Sequence, residues 1–146
     1  MNNSNTLSII IPIYNEENSV EETINSILSK ISQEVDKNIK IIAVNDGSTD
    51  RTSNILRNIK NKQLKLIDRK ENLGYGYSIK QGVDNSESTF IAIIDADGSY
   101  PIDKVINLYH ECLNGDYDMV IGSRTGKNVE YSKIRAIPKF FSKALC

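Results

Sequence analysis

The chain has 146 residues, 39% hydrophobic and 25% charged, with 18 Lys and Arg against 19 Asp and Glu. This is enough to bury a core, and it excludes a disordered or collagen-like chain. No apolar run approaches the roughly 20 residues needed to span a bilayer, and the polar first six residues read as neither a signal nor a transit peptide. Two cysteines, Cys112 and Cys146, are too few for a disulfide framework or a zinc site, so the expected compartment is the reducing cytoplasm. The net charge of −1 conceals an asymmetry. From Arg124 onward there are six basic residues and one acidic residue, Glu130, a balance that suits either an anionic partner or a solvated end.

The first predicted element is a strand over Leu7-Ser8-Ile9-Ile10-Ile11. Pro12-Ile13-Tyr14-Asn15-Glu16-Glu17 follows it without a glycine, so the G-x-G-x-x-G that brings backbone against a dinucleotide pyrophosphate is missing. Ser19-Val20-Glu21-Glu22 has the form of a capping box, and Val20, Ile24, Ile27, Leu28 and Ile31 recur at helical spacing. Ile39 to Val44 is the second strand. Its tip carries Asn45-Asp46-Gly47, and Ser48-Thr49-Asp50 offers capping side chains to a helix striped with Ile55, Leu56 and Ile59. A carboxylate at this tip suits a capped turn, or an acceptor for a nucleobase imide or sugar hydroxyl. Leu64 to Ile67 is the third strand, followed by Asn72-Leu73-Gly74-Tyr75-Gly76 and a weaker helical segment from Tyr75 to Val83. Tyr75 and Tyr77 are open to ligand contact or loop packing.

Phe90 to Ile94 is the fourth strand, and it ends in Asp95-Ala96-Asp97-Gly98. Two carboxylates at i and i+2 after a buried strand are costly together unless a cation neutralises them. Oxygen donors favour Mg2+ or Mn2+, which bridge to substrate phosphates. Pro101 opens a helix with Ile102, Val105, Ile106, Tyr109 and Leu113 on one side and Asn114-Gly115 as its stop. His110 and Cys112 on this helix read as structural. Met119-Val120-Ile121 predicts a short fifth strand. In the tail, Ile134, Ile137, Phe141 and Leu145 would share one helical face, with Arg135, Lys139 and Lys143 opposite. That pattern suits an anionic membrane surface or a packing helix, interrupted by Pro138.

Near-continuous β-branched runs alternating with helical stripes predict β-α-β-α-β-α-β-α-β in one domain over 1–146. The fold class is α/β, an open, mostly parallel sheet with helices on both faces and right-handed crossovers. Ligands of such sheets sit outside the carboxyl ends of the strands near a switch point. Asp46 is therefore expected on the base side of a nucleoside-diphosphate ligand, and Asp95 with Asp97 on its metal and diphosphate side.

Taken together, these motifs resemble the family-two glycosyltransferases of the GT-A (Rossmann-like) fold. Ser8 to Glu17 is similar to the family's opening, and Val44 to Asp50, Asn72 to Gly76 and Asp95 to Gly98 are similar to its later signatures. Ile121-Gly122-Ser123-Arg124 resembles a segment of the branch containing dolichyl-phosphate-mannose and polyprenyl-phosphate-glucose synthases. The resemblance runs from about Leu7 to the last residue. It implies that Pro12, Tyr14, Glu16 and Asp46 line the nucleotide pocket. It also implies that Asp95 and Asp97 bind Mg2+ or Mn2+ with the donor diphosphate, and that Arg124 acts on anionic phosphate, with Arg135 a second phosphate-facing residue. The implied reaction is inverting transfer of a sugar from a UDP- or GDP-linked donor to a polyprenyl phosphate or similar acceptor. The implied setting is the cytoplasm or the inner face of the membrane, with peripheral contact through the basic tail and no nucleic acid.

Three features depart from the family pattern. Asn45 stands where many relatives have an acid, and Ser99 where some place a Gln as a metal ligand. Relatives also continue past the position of Cys146, so the chain is expected to be truncated or a naturally short form. An ionised lipid phosphate needs no general base, which suits the lack of an evident one among the later carboxylates Asp103, Glu111, Asp116, Asp118 and Glu130. The alternatives are a catalytically incomplete nucleotide-sugar-binding module and a haloacid-dehalogenase-type phosphatase. The latter's D-x-D-G-[ST] loop matches Asp95 to Ser99, but it is expected after the first strand.

Overall fold

The computed structural model describes residues 5–33, 38–115 and 117–122. Four strands and four helices alternate: β1 (Leu7–Ile13), α1 (Val20–Gln33), β2 (Ile39–Asn45), α2 (Thr52–Asn58), β3 (Leu64–Asp68), α3 (Tyr75–Asp84), β4 (Phe90–Ile93) and α4 (Ile102–Gly115). The strands pair in parallel in the order β3-β2-β1-β4. Leu7 sits opposite both Ile39 and Phe90, and Asn45 opposite Asp68. The mostly parallel α/β fold expected from the sequence is therefore present.

Strand order decides which face each helix covers. From β1 to β2 to β3 the chain steps one way, and from β3 to β4 it steps back across the sheet. Right-handed crossovers in opposite directions leave their helices on opposite faces. Accordingly Ile9, Ile11, Ile13 and Ile41 pack with α1, α2 and α4 through Ile24, Ile27, Leu56, Ile102 and Ile106. Ile10, Ile42 and Val44 form the core of the other face with Ile67. Each fully buried aliphatic side chain contributes about 1.5–3 kcal/mol. That second face is covered by α3, which lies so close that a Cβ on Gly82 would stand 2.5 Å from Ile10 Cγ2. The switch point falls between β1 and β4.

Two local expectations fail. Met119-Val120-Ile121 forms no strand among the described residues, and Met119 and Ile121 are 74% and 80% exposed. A three-residue run supplies too few ladder bonds to offset the entropy of ordering it. The capping box at α1 does not form as predicted either. The Ser19 hydroxyl instead donates to Glu16 Oε2 at 2.6 Å, a charge-assisted bond that orients the side chain toward Glu16. The tail helix over Ile134 to Leu145 lies outside the described residues.

Candidate functional site

The loops after β1 and β2 are laced together. Asn15, at φ +55°, accepts from Thr49 N–H through its side chain, and its own N–H donates to Ser48 Oγ. Asparagine tolerates this left-handed conformation better than most residues. Glu16 N–H donates to Thr52 Oγ1, and Glu17 N–H to Asp50. The Arg51 N–H and guanidinium hold the Glu17 carboxyl below the usual carboxylate range. Burial pushes Asp50 up, but hydrogen bonds from the Thr52 hydroxyl and N–H and from Glu17 N–H outweigh it, so its carboxyl is also lowered.

On this frame a cleft of about 180 Å³ opens, lined by Pro12, Tyr14, Asp46, Asn72, Gly74 and Tyr75 among others. Asp46 forms its floor and is 3% exposed. Its two oxygens accept separately from the N–H groups of Leu73 and Gly74, at 2.9 and 2.8 Å. Arg69 Nη1 lies 3.3 Å from Asp46 Oδ1. The guanidinium also stacks 4.6 Å from the Tyr77 ring, and its Nη2 is buried without a hydrogen-bond partner. Arg69 is the residue that sequence reasoning missed. It follows the tip of β3, and a single basic residue there carries no motif.

Asn45, beside Asp46, serves the scaffold. It is 1% exposed, and its Nδ2 donates to Asp68 Oδ1 at 2.7 Å while its Oδ1 accepts from the Ser48 hydroxyl. Asp68 also accepts from Ser53 and pairs with Arg57. Desolvation pushes the Asp68 carboxyl up, yet the Asn45, Ser53 and Arg57 bonds together hold it below its ordinary value of 3.8. The stability it contributes is complete above that value and is lost as pH falls below it toward the lowered folded-state value. Asp68→Asn is expected to cost about 1–2 kcal/mol at neutral pH, with the gap to the wild type narrowing as pH falls below 3.8. Urea midpoints across this range test it, and a gap undiminished in acid would refute it.

Asp95 and Asp97 lie at the end of β4, on the other side of the switch point. Thr23 Oγ1 of α1 bonds the Ala96 carbonyl at 3.0 Å, which draws Ala96 into the core. Its two neighbours turn outward together. Both carboxylates line a second cavity of about 310 Å³, with Ser19, Glu22, Gly98 and Tyr100 on its walls. Asp97 Oδ1 accepts from Ser99 N–H at 2.9 Å, and Asp95 Oδ1 accepts from the Tyr75 hydroxyl at 3.1 Å. Tyr75 thus joins the two cavities.

Of the expected nucleotide-pocket residues, Pro12, Tyr14 and Asp46 share the first cleft. Glu16 does not. Its carboxylate is engaged by Ser19, and its carbonyl accepts from Ser19 and Val20 N–H at the start of α1. Arg124 and Arg135 lie outside the described residues.

A sequence profile of the Glycosyl transferase family 2 family matches residues 8–144. The uncharacterized glycosyltransferase YkcC of Bacillus subtilis is 33% identical over 125 residues, which covers 84% of this chain and 38% of that protein. A dolichyl-phosphate beta-glucosyltransferase of Dictyostelium discoideum is 28% identical over 130 residues, 82% of this chain and 40% of that one. The chain therefore spans less than half the length of these relatives. Among solved structures, S. aureus TarS 1-349, also solved with UDP-GlcNAc, is similar at 25% identity and a TM-score of 0.63. That likeness covers 75% of this chain and 31% of that one. The mannosyltransferase PcManGT of Pyrobaculum calidifontis shares the fold at 23% identity and a TM-score of 0.57, over 70% of this chain and 30% of that one. The phosphatase reading falls with these matches, and the D-x-D loop follows the fourth strand rather than the first. By its motifs, its sheet and the span of the match, this chain belongs to glycosyl transferase family 2.

Proposed function

We propose that the chain carries the donor site of a metal-dependent, inverting glycosyltransferase. It would move a sugar from a UDP- or GDP-linked donor to a polyprenyl phosphate or similar acceptor. The observation that carries this reading is the joining of two cavities at one switch point, one floored by Asp46 and the other edged by Asp95 and Asp97. Pro12, Tyr14 and Asp46 form the nucleobase side. Relatives named as dolichyl-phosphate beta-glucosyltransferases support the lipid-phosphate acceptor.

The donor set fits a hard divalent cation, Mg2+ or Mn2+. Asp95 and Asp97 face one open cavity whose wall also carries Glu22, and among the described residues no three His, Cys, Asp or Glu come together to cage a metal. Such ions keep positions for phosphate oxygens and water when proteins supply only one or two carboxylates. Bound there by Asp95 and Asp97, the cation would neutralise charge on the departing diphosphate. Asp46 holds the loop that walls the cleft, while Tyr14 and Pro12 present a rigid apolar edge to the base. An acceptor phosphate, already ionised, attacks the anomeric carbon from the face opposite the leaving group and needs no proton removed.

Arg124 and Arg135 are assigned to the acceptor or donor phosphate by resemblance alone. A lipid acceptor would bring the chain to the cytoplasmic face of a membrane. Among the described residues, no helix is long and apolar enough to cross one.

The test is thermal melting with UDP, GDP and their sugars, with and without Mn2+. At a ligand concentration near 100 Kd the stabilisation is about 2.7 kcal/mol, a shift of roughly 5–11 °C for a chain of this size. The full shift is expected only when metal and the correct nucleotide are both present, with a smaller one from the nucleotide alone. Melting unchanged by every nucleotide would overturn the reading.

A further inference from the structure

Tyr75 and Tyr77 sit two residues apart at the start of α3 and take different partners. Tyr77 stacks on Arg69, while Tyr75 reaches across the switch point to Asp95. Tyr75 is 56% exposed. Water competes for both groups in such a bond, so it contributes little to folding. What it does supply is direction. A carboxylate that accepts a charge-assisted hydrogen bond on one oxygen loses rotational freedom and presents its other oxygen at a defined angle. Asp95 needs this support, because it lies beyond the end of a four-residue strand paired to β1. Asp97 has the N–H of Ser99, and Ala96 has Thr23.

We propose that Tyr75 is a positioning residue for Asp95. Its hydroxyl holds one carboxylate oxygen, leaving the other to act with Asp97 on a divalent cation. Its ring meanwhile walls the nucleotide cleft, so the two halves of the donor site are joined by a single side chain. The inference rests on the proposed role of Asp95 and Asp97. Residues that orient metal-binding carboxylates typically change metal affinity by about 10–100-fold when removed.

The test uses Tyr75→Phe, which keeps the ring, beside Asp95→Asn. Mn2+ uptake is followed by loss of the free-ion EPR signal in the presence of UDP or GDP. Nucleotide affinity is measured separately in EDTA. Tyr75→Phe is expected to weaken Mn2+ binding by about 10-fold, with nucleotide affinity in EDTA and the melting temperature of the ligand-free protein unchanged. Mn2+ binding equal to wild type in Tyr75→Phe, alongside its loss in Asp95→Asn, would overturn the positioning role and leave the donor-site reading standing. An equal loss of nucleotide affinity in EDTA would also overturn it, by making the hydroxyl a nucleotide contact. No Mn2+ uptake by the wild type beyond that of Asp95→Asn would overturn the underlying reading itself.

Discussion

Asp46→Ala is expected to destabilise the fold by about 3–5 kcal/mol and to remove any nucleotide-dependent stabilisation. The substitution removes the acceptor of the Leu73 N–H, leaves the Gly74 N–H to Asn72 Oδ1 alone, and leaves the Arg69 guanidinium only a 3.5 Å contact to Gln81 Oε1 and the Tyr77 ring. Arg69 is the decisive one. Its side chain is 11% exposed and its Nη2 already lacks a partner, so loss of Asp46 strands a charge in a poorly hydrated place. Deleting one member of such a pair costs more than deleting both, because the survivor keeps its desolvation penalty. The double variant Asp46→Ala, Arg69→Met is therefore expected to cost less than the sum of its single changes. Urea-unfolding midpoints for the four proteins give the coupling directly. An Asp46→Ala loss below about 1 kcal/mol would mean that this pair is hydrated and replaceable.

The second large effect is at Gly47. The residue sits at φ +65°, which costs an L-residue about 1–3 kcal/mol. A Cβ there would also lie 2.5 Å from Glu71 C and 2.6 Å from Asn72 N. Those are backbone atoms and cannot rotate away, so the loop after β3 must shift. Gly47→Ala is expected to cost about 3–5 kcal/mol in all and to widen the cleft floored by Asp46. Gly76→Ala is the contrast. Nothing stands within 4 Å of its added carbon, and within α3 the change is expected to be neutral or stabilising by up to about 1 kcal/mol. Thermal melting of both variants decides the matter, and a Gly47→Ala protein that melts with the wild type would refute the close approach.

Four strands and four helices were legible in the sequence because their signals are local. A run such as Ile39 to Val44 has only one comfortable home, a strand covered on both faces. The switch point followed from the β-α alternation, and with it the importance of the strand tips. Pairing order was less legible, since nothing in Phe90 to Ile93 says that β1 rather than β3 will be its neighbour. Asp46 was legible as a carboxylate at a tip but not as a buried one. Its partners Arg69, Leu73 and Gly74 come from a loop more than 20 residues away. Asn45 has a physical account only in three dimensions, where it faces Asp68 across the β2–β3 ladder. Glu16 matched the family's opening by position, yet the hydroxyl of Ser19 claimed its carboxylate.

The place of β4 has a consequence for how the molecule meets its surroundings. Among the described residues it is the last strand of the sheet, and α3 leaves its Ile91 and Ile93 side chains 40% and 43% exposed. The outer edge of a sheet beside exposed apolar side chains is a template for another strand, and folded proteins seldom leave one bare. Any segment or neighbour that docks there would also brace the backbone from which Asp95 projects. Occupancy of that border and grip on a cation would then rise and fall together, although the two never touch.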